Sequence, residues 1–469
     1  MTAAASTPPP ARTQLLVAST PHGAALLAAA VDAGLLGAAR ERLLLVANTA
    51  AVPETAPAPD ALPGFAPLRG RFGRVLSWNA AVAPLHPGAW TPRPDDAPLW
   101  ERQLRALWGL GDAEVELVAE RVEAGPGRAL ARIFPDAPLD VYATGLSAYG
   151  PTPGKLDPLV GTRVRRLLHL GTVPGLRPLL LAEFGVPAEE VPAGAFRAVV
   201  AESARELPDP GVPEGAALLL GPDPDAPGAL PPGDEERLYG RLLRGLREAG
   251  HRAVVLVPHP AAPAHRVRGL AERAAGLGLE PYEPRDARPV EVLYERLRPA
   301  LVTGCSFGAL LTASTLYGLP AAHGGTASPP AGPAAFEGGG PVPAVIADAL
   351  LPDLPGAGEP AGPGDPGGTP RAPDPADPVD PADPVELARL VKAVAFCAQP
   401  QVHPGLRGET ERFLAAHPEE RVRRWFPRRL LASLALPGGL PAGLGPVVRS
   451  PAVRRAARRA RALGRRARR

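Results

Sequence analysis

Three short stretches of the 469-residue chain carry groups able to act on an anionic ligand. The apolar run AVVLV ends in PHPAAPAH, which sets His259 between Pro258 and Pro260. Proline on each side fixes the backbone, so a histidine at the carboxyl end of a strand projects into the crevice beyond the strand ends. The stretch TGCSFG places Gly304 and Gly308 around Cys305, Ser306 and Phe307, ahead of an expected helix over Ala309–Tyr317. Glycines permit close backbone approach, and the N–H groups at a helix start attract an anion. A histidine beside such a turn suits a phosphate. Either feature alone also describes a capping turn, with Cys305 a small buried hydrophobe; together, at strand ends of one sheet, they favour a ligand site.

The third stretch, YATGLSAYGP from Tyr142 to Pro151, interrupts the apolar run APLDVYA with glycines, hydroxyls and proline. It holds no acid, base or thiol, and Thr144 cannot take a proton at neutral pH. The nearest carboxylate in sequence, Asp140, lies about 13 Å back along an extended chain at ~3.3 Å per residue, and a strand-start side chain facing solvent is expected there. Glu291 opens an expected helix over Val290–Leu297, where either a ribose contact or the helix dipole accounts for it. His22, next to a helix N-cap, is expected at the surface. His86, His169, His251, His265, His323, His403 and His417 show no metal spacing, and the Asp-x-x-Asp repeats and Asp223–Asp225 read as solvated proline-rich loops, so no metal is expected. Trp78, Trp90, Trp100 and Trp108 cluster in one part of the chain, where mutual packing is favoured over stacking on sugars.

Alternating elements must position these groups. TQLLVAS reads as a strand, followed by Thr20 as N-cap, Pro21 at the first helical position and a helix to Gly34; RLLLVAN, DVYATG and VRRLLHL continue the alternation. LPDPGVPEG, from Leu207 to Gly215, reads as a linker, after which strands AALLL, AVVLV, LEPY and LVT alternate with helices over Asp234–Ala249, Ala264–Leu277, Val290–Leu297 and Ala309–Tyr317. The expected fold class is α/β, with two Rossmann-like domains facing each other across a cleft. The boundaries drawn are 12–206 for an N-terminal domain, and 216–323 with 384–436 for a C-terminal domain. Residues 324–383, rich in Pro, Gly and Asp, are expected to be a disordered insert, and 437–469 form a basic tail.

The basic residues are nearly all arginine, with lysine only at Lys155 and Lys392, a coding bias that weakens propensity arguments. Cys305 and Cys397 have no partner spacing for a disulfide scaffold or zinc site. The net charge of +3 hides an asymmetry, because Arg449–Arg469 carries ten arginines and no acid. Arg454, Arg458, Arg461, Arg465 and Arg469 recur at helical spacing, which suits an anionic membrane surface as well as a solvated terminus. No specific nucleic-acid partner is expected. RRWFPRRLLASLAL, with Trp425 and Phe426 among arginines, inclines toward the membrane. The first residues lack the features of a signal peptide, and AALLAAAVDAGLLGAA is interrupted by Asp32 and glycines, so a cytoplasmic protein is expected, either soluble or peripheral on the inner face of the plasma membrane.

The segments RIFPDAPLDVYATGLSAYGP, HLGTVPGLRPLL, VPHPAAP and RLRPALVTGCSFGALLTASTLYG, in this order, resemble the bacterial polysialyltransferase family, related to other bacterial sialyltransferases of the GT-B fold. The resemblance spans about Thr13 to Ala322. It implies inverting, metal-independent transfer of sialic acid, or a related nonulosonic acid, from a CMP-activated donor to a glycan or glycolipid acceptor, with no cofactor. That family uses an acid-acid-Gly motif as general base, and a His-Pro and a Ser-Ser/Thr motif for the donor phosphate. His-Pro is intact here as His259 and Pro260, which implies that His259 meets the phosphate and acts as acid. The other two motifs depart, reading Ala143, Thr144, Gly145 and Ser306, Phe307, Gly308.

The implied site therefore comprises His259 and Thr144 at the reacting groups. Pro260, Gly304, Ser306, Gly308 and Glu291 surround the donor, and Gly145, Ser147 and Tyr149 form the acceptor platform. A phosphate monoester has a second pKa of about 6, so oriented N–H donors can stabilise departing CMP. The acceptor hydroxyl is harder, since general-base help is worth ~10²–10⁴-fold. Two expectations stay open: an enzyme, and a catalytically lapsed homologue that binds nucleotide or glycan as a scaffold in surface polysaccharide assembly. A donor carrying another nucleotide is a further alternative.

Overall fold

The computed structural model describes residues 12–221, 232–259, 262–324, 341–355, 383–417 and 424–439. Strands β1 (Arg12–Ala18), β2 (Glu41–Val46), β3 (Arg74–Ser77), β4 (Glu114–Ala119), β5 (Leu139–Ala143), β6 (Val164–Leu170) and β7 (Ala188–Val191) form a parallel sheet in the order β3-β2-β1-β4-β5-β6-β7. Helices α1 (Pro21–Asp32), α2 (Trp78–Val82), α3 (Ala97–Trp108), α4 (Gly125–Ile133), α5 (Pro158–Gly161) and α6 (Ala193–Glu206) connect or follow these strands. A second parallel sheet has the order β10-β9-β8-β11-β12, from β8 (Ala217–Leu220), β9 (Ala253–Val257), β10 (Glu280–Tyr282), β11 (Leu301–Gly304) and β12 (Ala321–His323). Its helices are α7 (Pro232–Glu248), α8 (Ala264–Gly276), α9 (Val290–Leu297) and α10 (Phe307–Leu311). The two Rossmann-like domains of a GT-B-like architecture are therefore present.

Each sheet reverses its winding once, between β1 and β4 in the first and between β8 and β11 in the second. At such a point the connections leave to opposite faces, which opens a crevice beyond the carboxyl ends of the two central strands. Strands buried on both faces read as continuous apolar runs, as in Leu43–Val46 and Ala217–Leu220. Helix α1 starts as its sequence requires, with the Thr20 hydroxyl accepting the Gly23 N–H at 3.0 Å and Pro21 at the first position. Gly23 to Ala30 are all buried, between the sheet and α6, which accounts for the nearly all-apolar sequence of α1. Among the described residues, no helix is long and apolar enough to cross a membrane.

One apolar core runs from the first sheet into the second, joining Leu117, Val141 and Leu167 with Leu218, Val255 and Leu293. It continues into α11 (Val342–Leu350) and α12 (Pro384–Ala398), with α13 (Arg407–Ala416) packed on α12. Helix α11 corrects the expectation of disorder across 324–383. Val342, Val345, Ile346 and Ala347 are buried, so this apolar stretch folds although Pro and Gly surround it; residues 325–340 and 356–382 lie outside the described set. Trp425 and Phe426 are also buried, with Phe426 beside Phe413, so this segment does not offer its aromatics to a membrane. The four tryptophans of the first domain pack on one another, Trp78 against Trp90 and Trp108, and Trp90 against Trp100. The arginine stripe from Arg449 onward lies outside the described residues.

Asp140 does not face solvent. It is fully buried at the amino end of β5, where Arg165 and Arg166 each donate two hydrogen bonds to it at 2.9–3.1 Å. A register irregularity between Leu139 and Asp140 lets consecutive arginines reach the same carboxylate. Arg165 also meets Glu116, and Arg166 meets Glu189, so an ion network seals this end of the sheet. Removing one partner of a buried pair typically costs about 3–5 kcal/mol. With Arg165 and Arg166 40% and 23% exposed, Asp140→Ala is expected to cost ~2–3 kcal/mol, seen as an earlier midpoint in urea unfolding.

Candidate functional site

The acid missing from the Tyr142–Pro151 loop comes from the neighbouring strand. Strand β4 pairs with β5 through Ala119 and Val141, and Glu120 is the first residue beyond β4, at the switch point of the first sheet. The Thr144 hydroxyl, just past β5, donates a hydrogen bond to Glu120 Oε1 at 2.5 Å. Burial raises the Glu120 carboxyl above the ordinary glutamate range, against the opposing pull of the Thr144 hydroxyl and of His22. A partly buried carboxylate with a raised pKa at a switch-point crevice is suited to general-base work. It was missed in the sequence because nothing local says that β4 lies beside β5. The available signal was an acid placed directly after the apolar alternation EVELVA.

The backbone that carries Glu120 turns over the start of α4. A side chain at Gly127 would collide with the carbonyl oxygen of Arg121, so glycine is required for this turn. On the other side of the crevice, the loop after β5 touches the second domain. Gly145 adopts φ +55°, and a Cβ there would lie 3.5 Å from Gly308 Cα; a Cβ on Gly308 would lie 3.6 Å from Gly145 Cα. Two of the glycine stretches singled out in the sequence therefore meet backbone to backbone across the domains.

The second sheet sets its own groups in a row. Val257 pairs with Leu220, and Leu220 with Gly304, so His259 and Ser306 each lie two residues beyond one register line. Their strands are two spacings apart, roughly 10 Å. Gly304 has φ +150° and a Cβ there would strike the Leu220 carbonyl oxygen at 2.7 Å, while one at Gly221 would lie 3.4 Å from His259 N. Ser306 is exposed and its side chain makes no capping hydrogen bond. The helix begins at Phe307, two residues before its expected start, and continues from Thr312 to Leu316 as a π-helix. The His259 ring is partly buried and its carbonyl accepts the Ala262 N–H at 2.8 Å; Pro260 lies outside the described residues. Burial pushes the Cys305 thiol up to about 11, as for a packed hydrophobe.

Two expected roles are corrected, those of Tyr149 and Glu291. Tyr149 is fully buried and its hydroxyl accepts the Val173 N–H at 3.1 Å, so it belongs to the core instead of an acceptor platform. Ser147 remains near the crevice, but its hydroxyl donates to the Thr144 carbonyl at 2.7 Å and closes the turn. Glu291 is 5% exposed and does not face a ribose: it accepts from His22 Nδ1 at 2.6 Å across the domain boundary. His22 accordingly is not a surface histidine. Burial disfavours its charge, yet the Glu291 carboxylate outweighs that and raises it, while Glu291, also opposed by burial, is held below its ordinary range by His22.

The chain matches no protein-family model and no curated protein sequence. Among solved structures it is similar to UDP-GlcNAc 2-epimerase from Methanocaldococcus jannaschii, at 10% identity and TM-score 0.41, covering 66% of this chain and 83% of that one. It is also similar to S. aureus MnaA with UDP, at 14% identity and TM-score 0.38 over 66% and 78% of the two chains. Acinetobacter baumannii MurG is similar at 12% identity and TM-score 0.34, over 66% and 78%. The fold assignment rests on the strand orders and not on these likenesses, which transfer neither substrate nor residue roles.

If the Gly127 turn places Glu120, then Gly127→Ala is expected to cost ~1–3 kcal/mol through overpacking against backbone. Urea unfolding reads that cost, and an unchanged midpoint would show that the Arg121 carbonyl can yield freely.

Proposed function

We propose that this chain is an inverting glycosyltransferase that uses a nucleotide-activated sugar, with CMP-activated sialic acid or a related nonulosonic acid as donor and a glycan or glycolipid as acceptor. The observation that carries this proposal is the Glu120–Thr144 hydrogen bond at the switch point of the first domain, directly opposite the glycine turn of the second. It supplies the proton acceptor that Thr144 cannot be. In the proposed mechanism the acceptor hydroxyl passes its proton to Glu120 as its oxygen attacks the anomeric carbon, and the bond to the CMP phosphate breaks on the opposite face, which inverts the configuration. His259, the backbone around Gly304–Gly308 and Ser306 receive the phosphate charge. Gly145 and the Ser147 turn border the acceptor side. The arginine-rich segment from Arg449 onward is proposed to hold the protein against an anionic membrane surface.

Thr144 has a positive role here. A second acid in its place would share the hydrogen bond with Glu120, and two adjacent carboxylates cannot both ionise. Thr144→Asp is therefore expected to lower activity.

Release of CMP from CMP-sialic acid, with and without glycan acceptors, tests the proposal. Glu120→Gln is expected to reduce turnover by ~10²–10⁴-fold while nucleotide binding persists. Because burial raises Glu120, kcat/KM is expected to fall with decreasing pH through a midpoint above the ordinary glutamate value, since the base must be deprotonated to act. CMP binding without CMP release in the wild type would identify the scaffold instead, and stronger competition by UDP or GDP would reassign the donor.

A further inference from the structure

Between its sheet and helices α7 and α8, the second domain holds a cavity of about 390 Å³. Leu219 and Leu256 of the strands, Tyr239 of α7 and Leu270 of α8 form apolar walls. At one end stand Gly221 and Pro258, directly beyond β8 and β9. A Cβ on Gly221 would lie 3.4 Å from His259 N, so this end adjoins the His259 turn. Helix α8 stands off the sheet: Ala274 is its one buried residue, and Arg266, Gly269, Leu270 and Arg273, spaced three and four apart on one face, all border the cavity. A Cβ on Gly269 would meet no heavy atom within 4 Å. Protein interiors leave few voids larger than a water molecule, and a cavity of this volume is of the size that takes a small ligand.

Two ion pairs cross from α7 to α8 beside the cavity. Arg266 Nη1 donates to both oxygens of Glu235, at 3.1 and 3.4 Å, with the two side chains 37% and 16% exposed. The Nε–H and Nη2–H donors of Arg266 have no acceptor among the described residues. The second pair, Arg273 with Glu236, is more exposed, and the Tyr239 hydroxyl is committed to the Leu220 carbonyl at 2.7 Å. A hydrocarbon chain would suit the walls but strip water from Glu235 and Arg266 without replacing it. A small anion would be repelled by the Glu235 carboxylate. An aromatic base satisfies both requirements: its faces lie against leucine and tyrosine, an amino group donates to a carboxylate, and a ring nitrogen or carbonyl accepts from a guanidinium.

We propose that this cavity receives the base of the donor nucleotide, cytosine, with Glu235 accepting a hydrogen bond from the exocyclic amino group and Arg266 donating to the adjacent ring edge. Uracil carries a carbonyl in place of that amino group and would set two acceptors against each other, so Glu235 is a specificity-determining residue. The inference rests on the reading of His259 as the contact of the donor phosphate, and adds where the other end of the nucleotide lies and what tells one nucleotide from another.

The test is titration calorimetry of the full chain with CMP, UMP and ribose 5-phosphate, the last of which keeps the phosphate and lacks the base. The wild type is expected to bind CMP roughly tenfold more tightly than UMP, and Glu235→Gln, whose amide can present a donor, to bring the two within about twofold. Gly269→Leu extends a side chain into the cavity from a helix that leucine suits better than glycine. It is expected to weaken CMP by roughly tenfold or more and to leave ribose 5-phosphate unchanged. Thermal unfolding of each variant confirms that a folded protein is compared. CMP binding that neither substitution changes overturns the inference and leaves the donor reading intact. Equal losses of CMP and ribose 5-phosphate in Gly269→Leu overturn it as well, since the damage then lies at the phosphate. A wild type that binds none of the three overturns both the inference and the donor reading beneath it.

Discussion

A partly buried carboxyl group at the switch-point crevice is the constraint around which the candidate site of the first domain is arranged. Burial favours the protonated form of Glu120, whereas a general base must be ionised to accept a proton. Two weaker effects oppose this, a short hydrogen bond from Thr144 and the field of His22. Burial outweighs both, and the outcome is a carboxyl group whose affinity for protons is raised. The threonine that looks like a lost catalytic acid is then intelligible as the donor such a carboxylate needs.

The two ends of the same sheet show how location decides the fate of an acid. Asp140 lies at the amino end of β5 and receives four guanidinium hydrogen bonds, one at Oδ1 and three at Oδ2. Glu120 lies at the carboxyl end of the adjacent strand with one hydroxyl donor among the described contacts. The first arrangement locks a network of Glu116, Arg165, Arg166 and Glu189; the second leaves an oxygen for a ligand. Parallel winding assigns these roles, because the switch-point crevice forms only at the carboxyl ends.

Much of the scaffold was legible because its signals are local. Thr20 and Pro21 announce α1, the bounds of α9 follow from its periodicity, and the apolar runs mark most central strands. The glycines of the Ser306 turn could be recognised as points of close approach, though not that the Thr144 turn is what they approach. What stayed hidden depends on which strands are neighbours and which helices cross between domains. The hydrogen bond from Thr144 to Glu120 exists because β4 and β5 pair, and that from His22 to Glu291 because α9 packs on α6 and so reaches the first domain. Helix α11 was obscured differently, since averaging over a Pro- and Gly-rich region conceals the few apolar residues that decide whether a segment can fold.

The interdomain ion pair makes domain docking depend on pH. His22 is raised in the folded state, so the stability it contributes is fully present below the ordinary histidine value and is lost as pH rises through its raised value. Glu291 is lowered, so its contribution is present above the ordinary glutamate value and is lost as pH falls through its depressed value. Glu120 has the opposite sign to Glu291: its raised affinity for protons means that ionising it works against the folded state as pH rises. Between the ordinary glutamate value and the ordinary histidine value the pair is fully charged. The interdomain pair therefore holds α9 against the first domain most firmly between these two values, and its contribution weakens on the alkaline side through His22 and on the acid side through Glu291.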